Sequence, residues 1–244
     1  MSTMDTNARV PVLSCRDLCK SYVKGKPILN GFNYEIQGGN IVGLLGPNGC
    51  GKSTLMKLIC GILVPDSGEI EICGEPRSER TNALISYLPE RTYFNQWMRV
   101  EELIAYFAEF YADFDVEIAH KMLADLGIDT GAKLKTLSKG TKEKVQLIMV
   151  MARRAKLYLL DEPIAGVDPA ARDYILQTII GNYNPEAAVV ITTHLIHDIE
   201  PVLNGFAFMG QGGRILLSGE ADEVRAEHGK SLDELFREVF AYVP

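Results

Sequence analysis

The segment "GPNGCGKST", Gly46 to Thr54, constrains the fold more than any other part of this 244-residue sequence. It follows the continuous apolar run "GNIVGLLG", typical of a buried strand, and leads into "KSTLMKLICGI", which reads as a helix. The segment matches the phosphate-loop pattern G-x-x-x-x-G-K-[ST], in which glycines bring backbone N–H groups against phosphate oxygens at the positive end of a helix. Lys52 is expected to reach the β- and γ-phosphates, and the Ser53 hydroxyl to ligate Mg²⁺. The sequence therefore predicts a nucleoside triphosphate site, since a glycine-rich turn that binds nothing would not require both motif and context.

Strand-like and helix-like segments alternate along the chain, which favours a largely parallel sheet covered by helices. Short strands are predicted at "PVLSC" and "FNYEI", where Phe32, Tyr34 and Ile36 share one face, and buried strands at "KLYLLDEP" and "AAVVITTH". From about Arg99 to Ala155 three segments have helical spacing, with no convincing strand between them. A hairpin at "GFAFMGQGGRILLSG" and an amphipathic helix at "SLDELFREVF" follow. The sequence therefore predicts one α/β domain with a helical insertion.

Two acidic residues and a histidine follow the buried strands. Asp161 lies at the carboxyl end of "LYLLD", where ligands bind in open α/β sheets, and is expected to hold Mg²⁺ through oxygen. Glu162 is the candidate general base for an attacking water. His194 ends "TTH" on a strand that should lie beside the Asp161 strand, so its imidazole is expected to reach the γ-phosphate. The alternatives are two ordinary surface acids and a structural histidine; His197 is treated as a surface residue.

Composition excludes several classes of protein. A formal net charge of −7 argues against a general nucleic-acid binder. Five cysteines without a disulfide pattern fit a reducing cytoplasm, and Cys15 and Cys19 lack the second Cys/His pair of a zinc site. The N-terminus has no apolar signal-peptide core, and runs such as "LIMVMA" are far shorter than the roughly 20 residues that cross a bilayer. The protein is expected to be soluble, or held at a membrane only through a partner.

The stretch "LSKGTKEKVQL", Leu137 to Leu147, has two interpretations. Ser138 or Thr141 is suited to cap the helix that follows, because a side-chain oxygen there accepts from an unpaired backbone N–H. The consecutive Ser, Lys, Gly and Thr also supply donors for a phosphate. The residues alone leave both interpretations open.

The phosphate loop, "LSKGT", "LLDEP" and "TTH" occur in that order, and the chain thereby resembles the ATP-binding subunit of an ABC transporter, leaning toward bacterial exporter-type systems. The likeness extends from Leu13 to about Gly219. It implies an α/β fold: a P-loop NTPase (RecA-like) core with an antiparallel β subdomain and an α-helical subdomain. The expected boundaries are 10–220 for a single ATPase domain, about 92–155 for its helical subdomain, and 221–244 for a short C-terminal helical tail.

The resemblance assigns a role to each matching position. The implied catalytic residues are Glu162, His194 and Glu90. The implied metal ligands are Ser53, Asp161 and Glu90. The residues implied to bind ATP within one subunit are Tyr22, Gly46, Pro47, Asn48, Gly49, Cys50, Gly51, Lys52, Ser53 and Thr54. The residues implied to meet the ATP of the opposite subunit are Ser138, Lys139, Gly140 and, in "IAGVD", Asp168. Tyr22 is expected to stack on adenine; the alternative is a half-buried strand tyrosine.

Three positions depart from the family pattern. Its signature usually reads Leu-Ser-Gly-Gly-Gln, whereas Lys139 and Thr141 stand here for the first Gly and the Gln. Glu90 stands where Gln is common, and its added negative charge is expected to make occupancy depend more on Mg²⁺. Cys50 occupies a variable loop position where only the backbone should matter, and a sensitivity to thiol reagents is expected.

The implied function is an ATPase that dimerises around two MgATP and powers a separate membrane permease. The expected partners are a second ABC ATPase subunit and that permease, with no nucleic acid. The expected location is the cytoplasm, peripheral at the inner face of the cell membrane. Tyr93, Phe94 and Trp97 are candidates for permease docking, with local packing as the alternative. A soluble ABC ATPase of a cytoplasmic assembly system, such as iron–sulfur cluster assembly, is the alternative function.

Overall fold

The computed structural model describes residues 10–164, 167 and 169–241, and the side chains within these ranges except those of residues 169–171 and 182. The strands are β1 (Leu13–Val23), β2 (Lys26–Ile36), β3 (Ile41–Leu45), β4 (Ser67–Ile72), β5 (Glu75–Pro76), β6 (Ile85–Leu88), β7 (Leu157–Asp161), β8 (Ala188–Thr192), β9 (Gly205–Met209) and β10 (Ile215–Glu220). The α-helices are α1 (Lys52–Ile59), α2 (Glu79–Asn82), α3 (Val100–Phe110), α4 (Val116–Asp125), α5 (Lys139–Met151), α6 (Pro169–Asn182), α7 (Ile196–Ile199), α8 (Ala221–His228) and α9 (Leu232–Ala241).

The larger sheet has six strands in the order β10-β9-β3-β8-β7-β6. All neighbours in it are parallel except β10, which forms an antiparallel hairpin with β9. Every residue of β3, β7 and β8 is buried, as expected for apolar strands covered on both faces. Thr192 is in register with both Asp161 of β7 and Leu44 of β3. The carboxyl ends of these three strands therefore meet at one edge, which brings the glycine-rich loop close to the acidic residues.

The smaller sheet is antiparallel, in the order β2-β1-β4-β5. Its first two strands are longer than the sequence predicts, with 11 residues each, because "KSY" and "KPIL" also pair across the turn at Gly25, whose φ is +80°. Phe32 and Ile36 are buried and Tyr34 is partly buried, which confirms the predicted shared face. With the parallel sheet, this confirms the predicted fold class.

The segment between β6 and β7 is helical, as its spacing predicts. The helices α3, α4 and α5 enclose apolar side chains such as Leu103, Phe107 and Leu123, which join the core beneath the large sheet. Within the described ranges, no helix has the length and apolar character needed to cross a bilayer.

The C-terminal helices pack on the large sheet. Phe236 and Phe240 of α9 lie against Phe208 of β9, with ring centroids 5.4 and 6.1 Å away. Buried Glu200 accepts a hydrogen bond from the backbone N–H of Leu232 at 3.0 Å, which fixes the start of α9. The helix predicted at "SLDELFREVF" is confirmed, and α8 just before it lies in the 221–244 segment that is expected to be helical.

Candidate active site

The phosphate-loop sequence forms the turn between β3 and α1, as predicted. Gly49 and Gly51 have φ of +83° and +113°, a backbone region that side chains rarely adopt. A Cβ on Gly46 would lie 2.2 Å from the carbonyl oxygen of Met209, so this position requires glycine for a different reason, the close approach of β9. These constraints keep the loop compact at the N-terminus of α1, whose first N–H groups are suited to an anion.

Lys52 is the first residue of α1 and lies across the loop. Its Nζ donates to the carbonyl oxygens of Gly46 at 2.7 Å and Pro47 at 3.2 Å. The ammonium is therefore held by the same loop whose N–H groups would receive phosphate oxygens.

Cys50 corrects one expectation of the sequence. Its side chain is fully buried in the core beneath the small sheet, with Sγ 4.0 Å from Lys52 Nζ. Burial raises the pKa of the Cys50 thiol above its usual value, although the Lys52 charge acts in the opposite direction. The side chain thus contributes to packing, and the expected sensitivity to thiol reagents is wrong because the thiol is both inaccessible and poorly ionised at neutral pH.

The carboxylate of Asp161 lies directly behind the loop. Ser53 Oγ donates to Asp161 Oδ1 at 3.3 Å, and Thr192 Oγ1 donates to the same oxygen at 2.6 Å. Hydroxyl and carboxylate oxygens suit Mg²⁺, which is commonly held by one or two carboxylates while phosphates and water complete its shell. No group of three or more His, Cys, Asp or Glu forms a metal site in the described part of the chain. Because they place a hydroxyl and a carboxylate oxygen side by side, Ser53 and Asp161 fit a Mg²⁺ that would arrive with a nucleotide.

Glu162 has the backbone geometry of a specialised position. Its φ is 55°, in the left-handed region that costs a non-glycine residue roughly 1–2 kcal/mol. The Glu162 N–H donates to the Thr192 carbonyl at 3.0 Å, which helps to hold that conformation. Glu162 Oε2 lies 3.1 Å from Nδ1 of His194, which follows β8. The conformation thus turns the side chain toward a histidine that follows the neighbouring strand, and the predicted adjacency of the two strands is confirmed.

A cavity of about 350 Å³ brings most of the predicted residues together. Its lining comprises Tyr22, Ile28, Asn48, Gly49, Gly51, Lys52, Ser53, Thr54, Glu90, Asp161, Glu162 and His194. Gly46, Pro47 and Cys50 belong to the loop but do not line the cavity. Lys52, the helix N-terminus, three carboxylates and an imidazole thus surround a volume suited to a phosphate chain bound with a cation.

Tyr22 lies at the rim of the cavity. It is 61% exposed, and its hydroxyl is 3.2 Å from Thr54 Oγ1. Tyr22 does lie on strand β1, as the alternative of a half-buried strand tyrosine has it, but the residue is exposed rather than half-buried. Its exposure leaves the ring available to a flat ligand group.

The "LSKGT" residues occupy a different place. Ser138 caps α5, accepting from the Thr141 N–H at 3.1 Å, so the capping interpretation is confirmed. The Lys139 side chain is 86% exposed, with Nζ 3.8 Å from Glu143 Oε1. The cavity lining does not include Ser138, Lys139 or Gly140. Asp168 lies outside the described residues.

Sequence reasoning missed two residues at the site. Ile28, on β2, lines the cavity. Thr192, on β8, forms hydrogen bonds with the Asp161 carboxylate and with the backbone N–H of Glu162. A threonine ending the otherwise apolar run "AAVVIT" was the available signal for Thr192. For Ile28 the sequence contains no signal, because the strand is placed by the tertiary fold.

The sequence family described as ABC transporter matches residues 29–165. The uncharacterized ABC transporter ATP-binding protein YxlF of Bacillus subtilis (strain 168) is 31% identical over 221 residues, covering 88% of this chain and 73% of that protein. The Nod factor export ATP-binding protein I of Burkholderia lata is 27% identical over 220 residues, covering 86% and 72%.

Solved structures give the same likeness. The structure of an ATP-binding subunit of an ABC transporter superposes with a TM-score of 0.83 at 27% identity, covering 93% of this chain and 99% of that one. A bacterial Atm1-family ABC exporter with ATP bound has a TM-score of 0.77 at 22% identity, covering 95% of this chain and 42% of that one, a likeness of fold.

Proposed function

This chain belongs to the ABC transporter family as an ATP-binding, ATP-hydrolysing subunit, and on that premise we propose that two such subunits close around two MgATP and drive a separate membrane permease. We assign the ATPase domain to 10–220, its helical subdomain to about 92–155 and the tail to 221–244. The subunit would lie at the cytoplasmic face of the membrane, held there by the permease.

The arrangement of phosphate donors supports a two-subunit site. Lys52, Ser53 and Asp161 line the cavity, whereas Ser138 and Gly140 do not. The N-terminus of α5 carries N–H groups suited to an anion, yet within one chain that anion could not be the phosphate held by Lys52. A second subunit facing the first would bring its α5 to the open side of the cavity, and Asp168 would cross the interface.

The chemistry follows from groups already in place. Lys52 and the loop N–H groups would hold the β- and γ-phosphates, and Ser53 and Asp161, with Glu90 nearby, would hold Mg²⁺. The bound Mg²⁺ would neutralise charge on the phosphates. Glu162 would accept a proton from the attacking water, and His194 would orient Glu162 and contact the γ-phosphate. Hydrolysis of the bond between the β- and γ-phosphates would release the γ-phosphate, which is the anion that joins the two subunits. The dimer would then open.

A second cavity is the proposed permease contact. It has about 500 Å³ and lies between the large sheet and the helical segment, with Tyr87, Tyr93 and Arg153 in its lining. Tyr93 and Trp97 are exposed, as a docking surface requires, whereas Phe94 packs edge-on against Phe107 at 5.7 Å. We therefore retain Tyr93 and Trp97 as docking residues and assign Phe94 to local packing.

The relatives' names favour transport over soluble assembly. One relative is named an ABC transporter ATP-binding protein and the other a Nod factor export ATP-binding protein, and the second name supports an exporter-type system here. The alternative of a cytoplasmic assembly ATPase is not favoured.

The variant Glu162→Gln tests the proposal, because it removes the base while keeping the size of the side chain. We expect nucleotide affinity to persist, turnover to fall roughly 10²- to 10⁴-fold, and a dimer to accumulate in MgATP. Turnover is measured by phosphate release and mass by analytical ultracentrifugation, with Glu227→Gln on the exposed face of α8 as the control. Turnover like that of the unmodified protein would reject Glu162 as base. If Glu162→Gln stayed strictly monomeric in MgATP at high concentration, and no sister subunit paired with it, the two-subunit site would be rejected.

A further inference from the structure

Thr192 is a hydroxyl residue at a fully buried strand end. It is the last residue of β8, is in register with Asp161 of β7, and follows four apolar residues, Ala188 to Ile191. A buried hydroxyl is costly unless it forms hydrogen bonds, so its partners indicate why the position is polar.

The Thr192 hydroxyl bonds to both acidic residues. Oγ1 donates to Asp161 Oδ1 at 2.6 Å, the short distance of a bond from a hydroxyl to a carboxylate. The same oxygen accepts from the Glu162 N–H at 3.3 Å, and the Thr192 carbonyl accepts from that N–H at 3.0 Å. One side chain thus contacts the carboxylate assigned to the metal and the backbone of the residue assigned as base.

The bond from Thr192 differs from the one that Ser53 makes. Both hydroxyls donate to Asp161 Oδ1, and among the described residues no hydrogen bond ends on Oδ2. A Ser53 hydroxyl that ligated Mg²⁺ would use an oxygen lone pair and could still donate to Asp161, but Ser53 would then itself be a metal ligand, whereas Thr192 would contact only the protein. Thr192 faces the carboxylate from the sheet, and its bond is compatible with bound metal. Asp161 then keeps one fixed oxygen and one that can face the ligand.

We propose that Thr192 is a positioning residue that orients the Asp161 carboxylate toward Mg²⁺ and fixes the backbone from which Glu162 reaches water. The inference rests on the proposed metal and base roles of those two acids. Since β-branched threonine has few side-chain rotamers, it holds both bonds at little entropic cost. Loss of a group that orients a metal ligand typically costs roughly 10- to 100-fold in metal affinity or activity.

The test compares Thr192→Val, which keeps the shape and removes the hydroxyl, with Thr192→Ser, which keeps the hydroxyl. A fluorescent ATP analogue is titrated in EDTA and then at increasing Mg²⁺. For Thr192→Val we expect unchanged affinity in EDTA, because Lys52 and the loop hold the phosphates, and a roughly 10-fold or greater rise in the Mg²⁺ concentration at half-effect. Thr192→Ser should stay within about three-fold of the unmodified protein, and kcat at saturating Mg²⁺ should fall in Thr192→Val with little change in KM.

Ser86→Ala is the matched control. Ser86 is a buried hydroxyl on β6, on the other side of β7; it donates to the Val150 carbonyl and does not line the cavity of about 350 Å³ that holds Lys52 and Asp161. Its loss should lower the melting temperature without moving the Mg²⁺ dependence. If Thr192→Val does not fold, Thr192→Ala is the second hydroxyl-free variant.

The outcomes separate this inference from the proposed function. A normal Mg²⁺ dependence in Thr192→Val overturns the role of Thr192 and leaves the metal site intact. An equal defect in Thr192→Ser and Thr192→Val, matched by equal losses in melting temperature, also overturns it, because packing alone would explain both. If the nucleotide affinity of the unmodified protein did not depend on the Mg²⁺ concentration, the metal role of Asp161 would be overturned, and this inference with it.

Discussion

Arg153 connects the helical segment to the large sheet, and replacing it should destabilise the fold strongly. Its side chain is only 4% exposed and forms two hydrogen bonds to Asp113, at 2.9 and 3.0 Å. It also donates to the carbonyls of Ile85, at 2.6 Å, and Ala83. The guanidinium carbon lies 3.9 Å from the centroid of the Tyr111 ring. One cation therefore satisfies a carboxylate and two carbonyls from separate parts of the chain.

The expected loss in the free energy of unfolding follows from the groups that Arg153→Met leaves without a partner. Methionine replaces the apolar stem but leaves Asp113 and both carbonyls without their donor. Breaking a buried ion pair by removing one partner costs about 3–5 kcal/mol. Because Asp113 is 28% exposed and can be hydrated in part, the lower end applies, about 3 kcal/mol. For a chain of this size, that loss lowers the melting temperature by roughly 6–12 °C.

The neighbouring arginine provides the control. Arg154 pairs with Asp115 at 3.1 Å, but its side chain is 68% exposed, so Arg154→Met should cost at most about 1 kcal/mol. Both variants are measured by urea denaturation and by thermal unfolding followed by circular dichroism. Equal losses in the two variants, or a loss below about 1 kcal/mol for Arg153→Met, would refute the reasoning.

Three further predictions concern the nucleotide cavity, the buried thiol of its loop and the second cavity. Glu90→Gln removes one negative charge beside the phosphates, so nucleotide affinity in EDTA should rise about five-fold, corresponding to about 1 kcal/mol; unchanged affinity would contradict a charge effect. Cys50 should stay unlabelled by maleimide in the native protein at pH 7, since burial raises its pKa and leaves little thiolate; prompt native labelling, read by peptide mass mapping, would contradict its burial. Tyr93→Ala should keep the ATPase activity of the isolated subunit but lose co-purification with its permease. Phe110, which is exposed outside the second cavity, provides the control, and Phe110→Ala should keep both properties. Retained co-purification in Tyr93→Ala would exclude Tyr93 as a permease contact.

The positions of the predicted site residues followed from two simple patterns. The glycine spacing of the loop specifies a turn between strand and helix, and apolar runs that end in polar residues specify parallel strands whose carboxyl ends meet at one edge. Together they place Lys52, Asp161 and Glu162 around one cavity before any coordinates are known. This information is local, so a single sequence contains it.

Other features depend on contacts that a local pattern does not record. Cys50 looks like a free loop position, but the loop turns its side chain into the core. The left-handed φ of Glu162 depends on a bond to Thr192, which is 30 residues away along the chain. The length of β1 depends on pairing with β2 and β4. In each case the long-range partner decides the outcome.

The two interpretations of the "LSKGT" stretch are compatible because a hydroxyl has separate donor and acceptor capacity. Ser138 Oγ uses a lone pair to accept from the Thr141 N–H, and it lies 2.8 Å from Thr141 Oγ1. If Thr141 donates in that second bond, the Ser138 proton remains free for a phosphate oxygen. A glutamine at position 141 would extend past the cap, whereas threonine keeps its hydroxyl against Ser138. We propose that the replacement gives up reach toward a neighbouring subunit's nucleotide in exchange for the contact between the two hydroxyls, and that it leaves the proposed phosphate donors, Ser138 and the Gly140 N–H, in place.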